Sequence, residues 1–358
     1  MTAALRQLGE RLDGTVADDP AGSLSAAVMH RGATVWTHAA GWADREQDAP
    51  ATTDTVYRVG SVTKSFTVAC ALRLAERDEL DLDAPVAELV SEIQQVVGYP
   101  AQPAPITLRD LCSHTSGLAR EPTIPDPLAG AVADWDRVLL AALPATRFAH
   151  PRAACFEYSN IGVAILGLAL QRAGDRPYME LIATEIIQPL GLTRTAFLPP
   201  PGGVNLATGY ERLAEGTIST DSAQIQHAGR GFRVPGGGLY STPQEIARFV
   251  AALHPDSDQA LLRRTTRRRL LATASRKSEE CSPGPSNGYG LGVELYLRDR
   301  GDEDEPELLA YGHHGDMAGY AAVCLCDPAR QLTLAICSNF RGSEDIGAGP
   351  AIDLLRQL

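Results

Sequence analysis

Segments with strand character lie near both ends of the chain, and helical patterns fill its middle. Near the N-terminus, Ser23–His30 and Ala33–Ala40 have the character of two apolar strands that meet in a hairpin. Near the C-terminus the same character predicts four further strands: Gly290–Arg298, Glu307–Gly312, Gly319–Cys326 and Leu332–Ser338. This order predicts an α+β fold in which one antiparallel sheet is built from both termini and flanked by helices, with a helical insertion between the two halves.

The same reading divides the chain into two domains. We expect residues 1–76 and 235–358 to form the sheet domain and residues 77–234 to form a mainly helical insertion, with the active site between them. Within these bounds, helical spacing or a helix start is found in nine segments. They are the N-terminal segment carrying Leu5, Leu8 and Leu12, Ser61 to about Glu76, a capped start at Thr107, Trp135–Leu143, Ile161–Ala173, Tyr178–Leu190, a capping box at Thr242 and Glu245, the arginine-rich amphipathic segment Leu262–Lys277, and Ala351–Leu358.

The most informative polar residues are Ser61 and Lys64, which lie at the start of a predicted helix. Residues three apart lie on one helical face with Cβ atoms about 5–6 Å apart, so that a hydroxyl and an amine can contact each other. The chain has only two lysines, Lys64 and Lys277, among 32 basic residues. Arginine cannot lose its proton in a protein, whereas a neutral lysine beside a serine can activate it as a nucleophile. The competing interpretation is a serine N-cap followed by a surface lysine.

Composition excludes several other classes of protein. The net charge of −12 argues against a nucleic-acid partner. We find no apolar signal-peptide core and no run long enough to span a bilayer, which predicts a soluble, cytoplasmic protein without a membrane partner. The seven cysteines are therefore expected to be reduced. Cys324 and Cys326 would share a strand face, but no further ligand pattern supports a metal, and no phosphate loop or other motif predicts a cofactor.

Two later motifs follow Ser61 and Lys64 in a fixed order. Tyr158-Ser159-Asn160 opens a helix in the predicted insertion, and His313-His314-Gly315 ends a strand. Together with L-C-S-H-T-S-G-L from Leu111 and P-G-G-G-L-Y-S-T-P from Pro235, the chain resembles the penicillin-recognising serine hydrolases from about Ser23 to its end. Within that family it looks most similar to class C β-lactamases, D,D-carboxypeptidases, D-aminopeptidases and family VIII esterases. The resemblance implies a β-lactamase-like fold.

The resemblance also implies a role for each motif. Ser61 would be the acylated nucleophile, and Lys64 would take its proton directly or through Tyr158. Tyr158 would be the general acid/base, with a pKa depressed by Lys64. Asn160 would hold Lys64 and the acyl-side amide or carbonyl of the substrate. The backbone N–H groups of Ser61 and Asp316 would form the oxyanion hole.

The third motif departs from the pattern of true class C β-lactamases. His313 stands where those enzymes have a lysine, and it would give a switchable cation or only a hydrogen bond next to Gly315. Efficient β-lactam hydrolysis is therefore not expected. The Asp316 side chain would oppose anionic substrates unless it points away, His314 has no assignable role, and His114 is expected to be structural.

These features predict a serine hydrolase or acyltransferase that acts on an ester of a small or medium acyl group. Its partners would be a small-molecule acyl donor and water, or an alcohol or amine acceptor. The alternative is a D-amino-acid peptidase or D,D-carboxypeptidase-like enzyme; a β-lactamase and a non-catalytic binding protein are further alternatives. The pocket walls are expected from the loops Ala119–Asp134 and Pro199–Gly236.

Overall fold

The computed structural model describes residues 2–18, 22–99, 104–125, 130–203, 205–259, 261–276, 286–299, 306–341 and 348–358. Its strands are β1 Ser23–His30, β2 Ala33–Asp44, β3 Ala49–Pro50, β4 Tyr57–Arg58, β5 Tyr210–Arg212, β6 Ile218–Ser219, β7 Tyr240–Ser241, β8 Ser275–Arg276, β9 Gly288–Tyr289, β10 Glu294–Arg298, β11 Glu307–Met317, β12 Tyr320–Asp327, β13 Leu332–Ser338 and β14 Phe340–Arg341. Its helices are α1 Thr2–Asp18, α2 Thr63–Glu76, α3 Val86–Leu89, α4 Leu108–Ser113, α5 Trp135–Ala142, α6 Asn160–Ala173, α7 Tyr178–Ile182, α8 Asp221–Ala228, α9 Val234–Gly237, α10 Pro243–Ala252, α11 Arg264–Leu270 and α12 Ala348–Gln357.

One antiparallel sheet organises the fold. Its strand order in the described part of the chain is β3-β2-β1-β13-β12-β11-β10-β9-β8. Strand β1 pairs with β2 on one side and with β13 on the other, so the N-terminal and C-terminal strands meet in the middle of the sheet. The hairpin between β1 and β2 turns at Arg31 and Gly32, which both have positive φ, as a tight two-residue hairpin requires. The predicted sheet built from both termini is confirmed.

Helices cover both faces of this sheet. On one face, α1 and α12 pack against the sheet through Leu5, Leu8, Leu12, Leu354 and Leu355. On the other face, α10 packs against β1 and β13, and the larger apolar core continues into α2 and α6. Because successive strand residues point to opposite faces, β1 and β13 contribute to both cores.

Between residues 77 and 234, the regular elements of the described chain are helices and helical turns apart from two short strands, β5 and β6. Strand β5 pairs with β6 and, in parallel, with β14 from the C-terminal part. The predicted helix at Tyr178–Leu190 is shorter as an α-helix, since α7 ends at Ile182 and a π-helical turn, Ala183–Ile187, continues it.

The sequence correctly predicted the capped starts of α4 and α10, but it assigned the wrong partner to Glu245. Thr107 and Asp110 form the predicted capping box at the start of α4. Thr242 caps α10 by accepting the N–H of Glu245, but the Glu245 carboxylate does not complete the box. It accepts instead from the backbone N–H of Arg194 and from the Thr195 hydroxyl.

The structure also tests predictions for the arginine-rich segment, for Cys324 and for membrane-spanning helices. The arginine-rich segment forms a helix only over α11, in which Arg267 is buried. Cys324 Sγ donates to the Ile246 carbonyl, so this thiol already has a protein partner in the core. Lys277, the last residue of the arginine-rich segment, and Cys281 lie outside the described residues. No helix within the described ranges combines the length and the apolar character needed to cross a bilayer.

Candidate active site

Ser61 lies inside the first turn of a helix and reaches the surface from there. A short 3₁₀ helix, Gly60–Val62, leads directly into α2, with Val59 rather than Ser61 at its N-cap position. Ser61 is partly exposed, whereas the nine residues that follow are buried. The interpretation of Ser61 as a simple N-cap is therefore wrong, and its hydroxyl faces a pocket.

Lys64 contacts Ser61 from within the core. Its Nζ lies 3.1 Å from Ser61 Oγ and donates to the Gly236 carbonyl at 2.8 Å. The lysine is 1% exposed. Burial, reinforced by the positive charge of Arg120, lowers the pKa of Lys64 to about 7. A lysine in this environment is partly neutral at physiological pH, and a neutral amine is able to accept a proton.

The phenol of Tyr158 lies close to Lys64. It lies just before α6, and Lys64 Nζ is 4.8 Å from the centroid of its ring. Burial raises the pKa of Tyr158 well above its usual value, and the nearby Ser61 side chain only partly offsets this. The expectation that Lys64 depresses this pKa is therefore wrong. The phenol stays protonated near pH 7 and is suited to donate or relay a proton.

Asn160 is the first residue of α6 and lies beside the same pocket. Its Nδ2 donates to Glu121 Oε1 at 2.5 Å. The Glu121 carboxylate also pairs with Arg233, with an Nη2–Oε1 distance of 3.1 Å. This chain of contacts fixes the amide, and leaves Asn160 Oδ1 on the side of Gly236 and Lys64.

The third motif reaches Ser61 through the backbone of β11. A Cβ atom placed on Gly315 would lie 2.1 Å from the Val59 carbonyl oxygen and 2.9 Å from the Ser61 nitrogen. Only glycine permits so close an approach. On the opposing side, a Cβ on Gly60 would lie 3.2 Å from the Asp316 nitrogen. The backbone nitrogens of Ser61 and Asp316 are therefore brought to adjoining positions, as an oxyanion hole requires.

His313 is buried and forms its hydrogen bonds inside the protein. It is fully buried, and its Nε2 lies 3.1 Å from the Tyr289 hydroxyl while Nδ1 donates to the His314 carbonyl at 2.6 Å. Burial lowers the pKa of His313 to about 3, so the ring is neutral. Of the two alternatives for this position, the switchable cation is wrong, and a neutral ring that can only form hydrogen bonds remains. His313 lies behind the pocket wall, 6.3 Å from Tyr158 between ring centroids.

His314 and His114 also have defined surroundings. His314 Nδ1 lies 2.7 Å from Glu294 Oε2, and ligand atoms of Glu294, His313 and His314 all fall within 4.8 Å of one another. The hydrogen bonds of the two histidines engage both Nδ1 atoms, which fits a structural cluster. His114 Nδ1 accepts the N–H of Ser159, and its ring packs 4.5 Å from Tyr158. His114 therefore positions the Tyr158 motif, in line with its predicted structural role.

A pocket of about 380 Å³ lies at Ser61, and Lys64 contacts Ser61 from behind its lining. Its lining includes Ser61, Asn160 and Asp316 together with Arg120, Glu121 and Arg233. A larger groove of about 600 Å³ lies between α2 and α11, and its lining includes no member of the three motifs. The small pocket at Ser61 is therefore the candidate active site.

Several functional neighbours were missed by sequence reasoning. The Gly236 carbonyl accepts from Lys64 Nζ, a contact that the motif from Pro235 did not indicate. Glu121 and Arg233 are more than a hundred residues apart and meet only in the fold. Tyr289 on β9 contacts His313 on β11, and strand β10 lies between these two strands in the sheet. Arg120, Glu121 and Arg233 belong to the loops Ala119–Asp134 and Pro199–Gly236, which we expected to form the pocket walls. That expectation was the only indication in the sequence that these three residues could lie at the site.

Comparison with known proteins agrees with this geometry. The family model described as Beta-lactamase matches residues 10–357. Esterase EstB from Burkholderia gladioli is 26% identical over 350 residues, covering 88% of this chain and 85% of EstB. Other curated relatives, 28–29% identical, are matched over only 45–64% of their own length.

Two solved structures share the fold over nearly the whole chain. EstCE1, described as a hydrolase with promiscuous acyltransferase activity, has a TM-score of 0.79 and 20% identity, covering 99% of this chain and 98% of its own. The D-amino acid amidase from Ochrobactrum anthropi has a TM-score of 0.78 and 21% identity, covering 99% and 98%. The extent of the family match, together with the common fold, assigns the chain to the β-lactamase family, whose members are serine hydrolases.

Proposed function

We propose that this protein forms an acyl-enzyme on Ser61 and hydrolyses, or transfers the acyl group of, an ester with a small or medium acyl chain. The observation that carries the proposal is the 3.1 Å contact between Lys64 Nζ and Ser61 Oγ, made by a buried amine whose pKa is near 7. A nucleophile and a base in contact, next to converging backbone N–H groups, are the parts that acyl transfer needs.

Acylation follows from these positions. Neutral Lys64 takes the Ser61 proton, directly or through the Tyr158 phenol, and Oγ attacks the ester carbonyl. The negative charge that develops on the carbonyl oxygen is stabilised by the N–H groups of Ser61 and Asp316. When the C–O bond of the ester breaks, Tyr158 delivers a proton to the departing alkoxide and regains one from Lys64. The products are an alcohol and an ester of Ser61.

Deacylation repeats the same proton transfers with a second nucleophile. Water loses a proton to neutral Lys64, directly or by relay through the Tyr158 phenol, and attacks the acyl carbonyl. When the acyl bond to Ser61 breaks, Lys64 returns the proton to Ser61 Oγ, which releases a carboxylic acid and restores the hydroxyl. If an alcohol or an amine occupies the position of water, the product is a new ester or amide. The pocket of about 380 Å³ has room for a small or medium acyl group.

Two considerations favour an ester over a β-lactam. His313 is buried and neutral, so the third motif supplies no cation for a substrate carboxylate on that wall. EstB, which is named an esterase, matches most of this chain and most of its own length.

A second candidate is the cleavage of amides of D-amino acids. It is favoured by Asp316, an exposed carboxylate on the pocket wall next to Ser61, because a carboxylate there could bind a substrate ammonium group. This candidate uses the same acyl-enzyme and differs in what the pocket recognises.

Initial rates with three substrates separate these activities: p-nitrophenyl butyrate, D-alanine p-nitroanilide and nitrocefin. We expect the ester to be turned over fastest, with Ser61→Ala inactive on all three. Added methanol, scored as methyl butyrate formed per acid released, measures acyl transfer. Faster cleavage of the anilide would favour the second candidate. No turnover and no acylation with any donor would contradict both candidates and favour a binding protein.

A further inference from the structure

Arg120 occupies an unusual place on the wall of the candidate active site. Its carbonyl accepts the backbone N–H of Asn160 at 2.9 Å, so Arg120 and Asn160 are direct neighbours. Its side chain is exposed, lines the pocket, and holds the guanidinium carbon 5.0 Å from the centroid of the Tyr158 ring. A permanent cation is thereby held within reach of the reacting groups.

The other charges on this wall compensate one another. Glu121 accepts from Asn160 and pairs with Arg233, so the Glu121 and Arg233 charges are matched within the wall. Arg120 takes no part in this arrangement. Among the residues that the structure describes, its guanidinium forms no hydrogen bond and no ion pair, and its contact is with the face of Tyr158. Its N–H groups are therefore available to a ligand in the pocket.

We propose that Arg120 selects acyl donors whose acyl chain ends in a carboxylate, that is, half-esters of dicarboxylic acids. This inference rests on the proposed acyl-enzyme chemistry at Ser61. A guanidinium is planar and presents paired N–H donors that match the two oxygens of a carboxylate. Arg120 lies beside Asn160, the residue expected to hold the acyl side of the substrate, so the carboxylate belongs to the acyl group and not to the leaving alcohol.

The charge of Asp316 supports this orientation. Asp316 is exposed on the side of β11, where a carboxylate would repel an anionic substrate group. Arg120 and Asp316 line the same pocket. We expect an anionic acyl chain to be attracted by Arg120 and repelled by Asp316.

The test compares p-nitrophenyl esters that differ only in the end of the acyl chain. Mono-p-nitrophenyl adipate carries the carboxylate, and p-nitrophenyl hexanoate is its neutral partner. We expect kcat/KM for the adipate half-ester to exceed that for the hexanoate by roughly ten- to a hundredfold, the range for a hydrogen bond to a charged group. Arg120→Gln should abolish this preference, Arg120→Lys should keep part of it, and Arg120→Glu should reverse it.

Two controls make the result specific. Arg120 also lowers the pKa of Lys64, so its removal changes the pH at which Lys64 becomes neutral. All rates are therefore compared on the alkaline plateau of the pH–rate profile, where Lys64 is neutral in every variant. Arg137→Gln removes the same charge from an exposed residue that does not line the pocket, and it should leave the preference unchanged.

The possible failures are distinguishable. Efficient hydrolysis of the hexanoate with no preference for the adipate, or an equal loss of preference in Arg137→Gln, would overturn the role of Arg120 and leave the ester hydrolase intact. Absence of any acyl-enzyme with either ester would instead contradict the proposed function itself.

Discussion

Lys64 is the residue on which the proposed chemistry depends most closely. An exposed lysine carries a proton up to about pH 10.4 and cannot act as a base at neutral pH. Burial and the neighbouring Arg120 bring the pKa of Lys64 down to about 7, while burial moves the pKa of Tyr158 in the opposite direction, upward. The two groups therefore differ in role: the amine is the base, and the phenol stays protonated.

This difference predicts the shape of the pH profile. The active form has neutral Lys64, so kcat/KM for p-nitrophenyl butyrate should rise as pH increases through about 7 and then stay level, because Tyr158 keeps its proton. Lys64→Arg keeps the positive charge but cannot lose a proton. It should lower the plateau rate by about 10²–10⁴-fold, the usual contribution of a general base.

Stopped assays across the pH range, corrected for spontaneous hydrolysis, would measure this profile. A rate that falls as pH rises through 7 would assign the active form to protonated Lys64 and would contradict its role as base.

Several features at this scale could be predicted from the sequence, and others could not. Ser61, Lys64, Tyr158 and Asn160 belong to short motifs. The structure places Ser61 and Asn160 in the lining of one pocket, and Lys64 lies beside Ser61 and the Tyr158 ring. The pKa of Tyr158 and the neutral state of His313 depend on burial by distant segments, which no local pattern reveals. The same holds for Arg120, whose importance depends on Glu121 being matched by Arg233.

Among the secondary-structure elements, the contact between β11 and the turn before α2 matters most for the proposed catalysis. Gly315 allows the strand to lie directly against Val59 and Ser61. The adjoining positions of the Ser61 and Asp316 N–H groups depend on this approach. A side chain at Gly315 must therefore push the strand away from the nucleophile.

Gly315→Ala tests this packing. We expect a folded protein whose kcat is lower by about 10²–10³-fold, the usual effect of losing one oxyanion donor. Gly14→Ala is the matched control, because its new Cβ meets nothing within 4 Å in α1. The control should keep wild-type activity and a similar or slightly higher melting temperature. Wild-type kcat in Gly315→Ala would show that the strand does not need to approach so closely.

Element positions were predictable where the signals are local. The β1–β2 hairpin, the capping box of α4 and the start of α10 follow from turn and cap residues within a few positions. Strand β11 extends to Met317, through the third motif, because β12 pairs with it along that length. The Glu245 carboxylate bonds to Arg194 and Thr195 because the fold brings them next to α10. Such long-range pairings lie beyond local patterns.

At the scale of the whole molecule, the central sheet joins the two ends of the chain. A second connection is the core that α1 and α12 form on one face of this sheet, here called the outer core. Leu5, Leu8 and Leu12 of α1 pack there with Leu354 and Leu355 of α12. Helix α2, which follows Ser61, belongs to the core on the other face of the sheet. This separation predicts that the outer core stabilises the fold without shaping the pocket.

Leu8→Ala tests that separation. Leu8 is 3% exposed, and truncation of a buried leucine costs about 2–5 kcal/mol of unfolding free energy. We expect a urea midpoint shifted accordingly, with kcat per folded molecule unchanged at a temperature where the variant is folded. Leu5→Met, a volume-conserving change in the same cluster, should cost less than about 1.5 kcal/mol. A large drop in kcat with a small loss of stability would contradict the independence of the two cores.

The measurement that tests the central claim most directly is intact-mass analysis followed by peptide mapping after brief reaction with a fluorophosphonate or p-nitrophenyl butyrate. The account predicts one adduct per chain, mapped to Ser61, absent in Ser61→Ala and formed far more slowly in Lys64→Arg. An adduct on another residue, or equal labelling of Ser61→Ala, would contradict it.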